Sequence, residues 1–152
     1  MSDYIRATRE CALNSLQPSL SAAIRKHIER HGLGIQDADI LVCCETTSTK
    51  PKKGLFGKAE VILTGILVTP HWLVWAAGKE NETPGVISAR LSDITVQDYE
   101  TSDFYKMVPD SGLNISGLRT DSPQAGTSFI GLGPEPAAQK FRRVIKEEID
   151  KR

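Results

Sequence analysis

The spacing of apolar residues changes twice along this chain, and each change predicts a different kind of element. From Pro18 onward, Leu20, Ile24, His27, Ile28 and His31 recur at helical spacing. Proline suits a first helical position, and Gly32 with Gly34 supplies a stop, so a helix is predicted between them. Ahead of it, Ser2 and Asp3 offer N-caps, and Ile5, Ala12 and Leu16 lie near helical spacing until Pro18 interrupts, which predicts a first, shorter helix.

Beyond Gly34 the period shortens to that of strands. Ile40 to Cys44 is a compact apolar run that dissolves into Thr46-Thr47-Ser48-Thr49. A loop from Lys50 to Lys58 leads to a second run, Val61 to Val68, in which Gly65 suggests a bulge. Thr69-Pro70-His71 then turns the chain into Trp72 to Ala77, an antiparallel hairpin. Val86–Leu91, Ile94–Tyr99, Leu113–Ser116 and Thr127–Ile130 follow as strands, separated by polar turns, for a total of seven. The last element is a helix entered through Gly133-Pro134-Glu135-Pro136. Ala138, Phe141, Val144, Ile145 and Ile149 form its apolar stripe, with Lys140, Arg142, Arg143, Lys146 and Glu147 largely outside it.

Composition narrows this picture without changing it. With 152 residues, 39% of them hydrophobic and 25% charged, the chain fits one globular domain, residues 1–38 being a helical segment of the same domain whose body is 39–152. Basic and acidic residues balance at 19 each, so no whole-chain field draws nucleic acid, and basic residues do not interleave with aromatics along one face. No stretch has the make-up of a signal peptide or approaches the ~20 apolar residues of a membrane span. The expectation is a cytoplasmic protein, not integral to a membrane but able to sit at its surface. Cys11, Cys43 and Cys44 are odd in number, and the adjacent pair would point to opposite faces of a strand, so reduced, buried thiols are expected.

The order of strands and final helix resembles that of a pleckstrin-homology-like domain, of the lone bacterial type related in layout to the GRAM domain. The resemblance covers roughly Asp39 to Arg152. It is carried by the hairpin Glu60 to Trp75, the passage Ile87-Ser88-Ala89-Arg90-Leu91-Ser92-Asp93-Ile94, and the closing helix with Phe141. It implies an α+β fold: seven antiparallel strands forming a partly open barrel, or orthogonal two-sheet sandwich, capped by a C-terminal helix and here preceded by two N-terminal helices. It implies a scaffold without chemistry, whose members bind phosphoinositides, peptides or other proteins.

The most distinctive local sequence is Lys50-Pro51-Lys52-Lys53-Gly54-Leu55-Phe56-Gly57-Lys58, four lysines and no acid around an apolar pair. In an otherwise neutral chain, Lys50, Lys52, Lys53 and Lys58 suit anionic head groups, and Leu55 with Phe56 suits the membrane interface. The competing reading is a solvated turn whose Leu55 and Phe56 fold back onto the domain or a partner subunit.

The other candidates are weaker. His27 and His31 have helical metal spacing, but no third ligand is evident and a helix-end histidine pair is the simpler reading. Gly131-Leu132-Gly133-Pro134 lacks the third glycine of a dinucleotide loop. Trp72 and Trp75, three apart on a strand, face opposite sides, so one is expected in the core and the other partly exposed. Arg90 and the loop from Thr101 to Met107 rank lower as partner contacts, because loop aromatics and methionines often pack inward.

No cofactor, metal or catalytic residue is expected. The leading reading is a non-catalytic binding module for an anionic lipid surface, phosphoinositide-like ligand or protein partner. Two alternatives stay open: an oligomerisation domain built on the N-terminal helices and a sheet edge, and a small enzyme with dispersed catalytic residues.

Overall fold

The computed structural model describes residues 3–52, 54–55, 57–119 and 124–152. In chain order the elements are β1 (Ile5–Glu10), α1 (Pro18–Arg30), β2 (Val42–Lys50), β3 (Glu60–Val68), β4 (Trp72–Lys79), β5 (Gly85–Arg90), β6 (Thr95–Asp98), β7 (Gly112–Leu118), β8 (Gly126–Gly131) and α2 (Pro136–Asp150). Every strand pairing is antiparallel, in a five-stranded sheet of order β1-β2-β3-β4-β5 and a three-stranded sheet of order β6-β7-β8.

The large sheet is the middle layer. On one face, Val42, Ile66, Val68, Leu73 and Trp75 pack against Leu113, Ile115 and Ile130 of the small sheet and against Ala138, Phe141 and Ile145 of α2. On the other, Cys43, Leu67, Val74 and Ala76 meet Leu16 and α1 residues Leu20 and Ile24. A sheet covered on both faces needs apolar residues at successive positions, which is why β3 and β4 are continuous runs rather than alternations. Trp75 lies in the first core, and Trp72, half-buried, packs against the second.

The seven expected strands are present, but the architecture differs from the expected barrel. An eighth strand, β1, occupies the stretch expected to be a first helix, leaving a single N-terminal helix, and the strands divide into sheets of five and three. The inward side of β1 is polar, so its alternation escapes a hydrophobicity pattern. Thr8 shares a hydroxyl hydrogen bond with Thr46 at 2.8 Å and accepts the Gly133 N–H at 2.9 Å. Its own N–H, on the outer edge, is donated to Glu135 Oε1 at 2.8 Å, which closes an edge that would otherwise invite another strand.

Two smaller differences have the same kind of cause. Gly65 marks no bulge, since pairing runs unbroken to both neighbours, and instead makes room for Leu16, whose Cδ1 would lie 3.0 Å from an added Cβ. Arg142, expected outside the α2 stripe, is buried. It donates to Asp98, to both oxygens of Glu100 and to the Gly112 carbonyl, so it ties α2 to the small sheet.

Candidate functional site

The register places three connections at one end of the large sheet. Ile5 opposes Thr49, Lys50 opposes Glu60, and Ile62 opposes Lys79, so the start of β1, the β2–β3 loop and the β4–β5 turn lie together. The Glu80 N–H reaches the Val61 carbonyl at 2.9 Å, and Lys79 lies 3.8 Å from Glu60, which fastens the turn to the foot of the loop.

The loop itself carries the predicted residues. Lys50 ends β2, half-buried, with Nζ 5.9 Å from the centre of the Tyr4 ring. Lys52 and Lys58 are exposed, and neither has an ion pair or side-chain hydrogen bond among the described residues. Gly54 has φ +72, a left-handed conformation that turns the loop at its tip. Leu55 follows, 86% exposed, so it does not fold back onto the domain. Lys53 and Phe56 lie outside the described residues.

From Lys50 a ladder of ring and cation contacts leads inward. Arg6 stacks 4.9 Å from the Tyr4 ring and 5.4 Å from Phe129, and the guanidinium lies against Gly131, where a Cβ would collide with it. The same group grips Asp110 with two hydrogen bonds, Nε at 2.9 Å and Nη2 at 2.8 Å. A bidentate pair of this kind fixes orientation as well as distance, so Arg6 ties the 99–111 connection to the strand beside the loop.

That connection was the underrated part of the sequence. Its apolar residues face solvent: Phe104 is 66%, Met107 82% and Val108 63% exposed. Tyr105, partly exposed, lies edge-on to the buried Tyr99 at 6.3 Å, and Tyr99 in turn packs on Phe129 at 5.1 Å. Lys106 is exposed and has no ion pair among the described residues. Ile5, 66% exposed, sits at the start of β1 one residue from Arg6. A run of aromatic and sulfur residues in a polar stretch was the available signal, and the expectation of inward packing obscured it.

The remaining candidates resolve differently. His27 is half-buried, its Nε2 2.8 Å from Ser88 Oγ, with its ring centre 4.3 Å from that of His31. Among the described residues no group of three His, Cys, Asp or Glu side chains gathers as metal ligands. The Trp72 ring is covered by Arg90, whose guanidinium lies 4.9 Å from its centre. Cys43 and Cys44 lie on opposite faces of β2, in different cores, and Cys11 is half-buried; all three thiols are free. Leu20, Ile24 and Ile28 of α1 turn onto the sheet, leaving Arg25, Glu29 and Arg30 to solvent. No helix among the described residues is long and apolar enough to cross a membrane.

Neither known protein families nor characterised proteins yield a match to this chain.

Proposed function

We propose that the chain is a non-catalytic binding domain that rests the β2–β3 loop end on an anionic membrane surface. The observation that carries this is Leu55, 86% exposed at a loop tip and flanked by Lys52 and Lys58, which have no ion pair or side-chain hydrogen bond among the described residues. Surface lysines are worth about 1 kcal/mol each beside anionic lipids, and burying a leucine side chain adds about 2 kcal/mol. Lys50, Lys52, Lys58 and Leu55 together then give about 5 kcal/mol, a weak sub-millimolar contact. Neither term is enough alone, since the charges are screened by salt and one leucine does not anchor a domain.

Three further features support the reading. The sequence adds Lys53 and Phe56 to the same loop. Ile5 and the Phe104, Met107 and Val108 group present apolar surface from segments tied through Arg6 to the loop's base. The resemblance to pleckstrin-homology-like domains, read from the β3–β4 hairpin, residues 87–94 and α2, points to the same use, here on an eight-stranded frame.

Flotation with neutral and anionic vesicles, at low and physiological salt, tests it. Binding to anionic vesicles that weakens with salt, and falls about tenfold or more in Leu55→Ser, is expected. Absence of binding at low salt would overturn the proposal. So would unchanged binding after Lys50, Lys52, Lys53 and Lys58 are changed to Glu in a variant of native circular dichroism.

A further inference from the structure

On the other side of the large sheet, α1 and the β4–β5 turn border an open cavity of about 380 Å³. Lys26, His27, Arg30 and His31 form its α1 wall, Thr83 and Pro84 belong to the turn, and no acid lines it. Most basic side chains of this protein find carboxylates. Arg25, which points elsewhere, has Asp37 at 3.2 Å, whereas Lys26 and Arg30 have no acid within ion-pair reach among the described residues.

The histidines are also held in place. Ser88 Oγ fixes His27 at Nε2, and His31 stacks against the same ring. Lys26, Ala23, Thr83 and Pro84 also line a neighbouring cavity of about 720 Å³, whose wall includes Leu63 and the polar Gln17, Ser19 and Asn81. Either space far exceeds one inorganic anion and falls in the range of small-molecule sites.

We infer that this is a binding site for a phosphate-bearing small ligand, with the phosphate among Lys26, His27, Arg30 and His31 and the remainder extending toward Gln17 and Asn81. Guanidinium, ammonium and imidazolium groups all donate charge-assisted hydrogen bonds to phosphate oxygens. Burial, together with the neighbouring charges of His31 and Arg30, holds the His27 imidazole below its ordinary range, and a dianion in the cavity would reverse that crowding. The other charged groups nearby are Glu80 and Glu82 of the turn, which line the larger cavity, Glu29 on α1, and Arg90 on β5, stacked on Trp72.

Amide-resolved NMR of the full chain, titrated with inorganic phosphate against chloride at matched ionic strength, tests the site. Saturable shifts are expected at residues 26–31 and 83–88. The double variant Lys26→Gln, Arg30→Gln should lose about tenfold or more. Arg143→Gln on α2, whose partner is Glu147, should not change it. Equal shifts with chloride, no saturable shift, or an unaffected double variant would overturn the inference. Glycerol 3-phosphate and vesicles containing phosphatidic acid distinguish a soluble ligand from a lipid headgroup: either response at residues 26–31 supports the site, and silence from both overturns it.

Discussion

Glu45 sits inside β2, 5% exposed, where an unpaired carboxylate would be costly. It is satisfied by α1 and by β1. Oε1 accepts the Gln17 N–H at 2.6 Å, just ahead of the first turn of α1, and Oε2 accepts from Arg9 Nε and Nη2 at 3.2 and 3.0 Å. Arg9 Nη2 also reaches the Ser15 carbonyl at 2.8 Å, so one carboxylate clasps the whole 9–17 connection. Glu45→Ala removes a cap-like bond worth about 1 kcal/mol. It also removes an ion pair that, with Arg9 half-exposed, counts for about 0.5 kcal/mol, and leaves a small void worth about another 0.5. The expected loss is about 2 kcal/mol, or about 4–8 °C in melting temperature for a domain of this size. Urea unfolding followed by circular dichroism and tryptophan fluorescence measures it. Glu45→Gln, which retains an oxygen for Gln17, should cost roughly half as much, and Arg9→Ala less again. If Glu45→Ala falls within about 0.5 kcal/mol of wild type, or Glu45→Gln is equally harmful, the clasp does not hold α1 as argued.

Two other outcomes follow from buried and paired groups. Burial alone would raise the Asp98 carboxyl, but hydrogen bonds from Lys146 and Arg142 outweigh it and hold the group below the usual carboxylate range. Because the folded value is depressed, its stabilisation is complete above the unfolded value near 3.9 and disappears as pH falls through the folded one. Asp98→Asn should therefore destabilise by about 1–2 kcal/mol at neutral pH and by much less near pH 3 in urea titrations, and equal deficits at both would disprove the linkage. Burial also pushes the Cys43 thiol far above its ordinary value and that of Cys44 up to about 12, while Cys11, raised for the same reason, is the more accessible. Iodoacetamide on the native chain at about pH 8 should modify Cys11 first, by peptide mass mapping, and the others only on unfolding; comparable rates at Cys44 would contradict its placement.

What the sequence revealed was whatever depends on neighbours along the chain. The α2 stripe, the α1 stripe with its glycine stop, the β3–β4 hairpin and the split of Trp72 from Trp75 are all local periodicities, and the fold contains them. What stayed hidden depends on partners remote in sequence. β1 turns Arg6 and Thr8 inward because Asp110, Thr46 and Gly133 meet them there. Glu45 and Arg142 are buried charges for the same reason, and a charged letter carries no sign of who will neutralise it. In the 50–58 loop the lysines and the apolar pair were legible, but the outward exposure of Leu55 was not. Nor was the outward aim of Phe104 and Met107, in a connection whose far end is held by Arg6 through Asp110 and by Tyr99 through the Val108 carbonyl.

The coverage of the large sheet on both faces changes how its strands find their alignment. In a sheet with one wet face, a slip of one residue throws apolar groups into water, and that penalty enforces alignment. In β3 and β4 a slip would merely exchange one apolar set for another, so solvent discriminates poorly between alternatives. Discrimination then falls to shape: the notch at Gly65 admits Leu16, and only one alignment sends the Trp75 indole toward Phe141 and its neighbours. Fidelity of assembly in this chain is thus a matter of steric matching between large and small side chains, read at the centre of the molecule rather than at its surface.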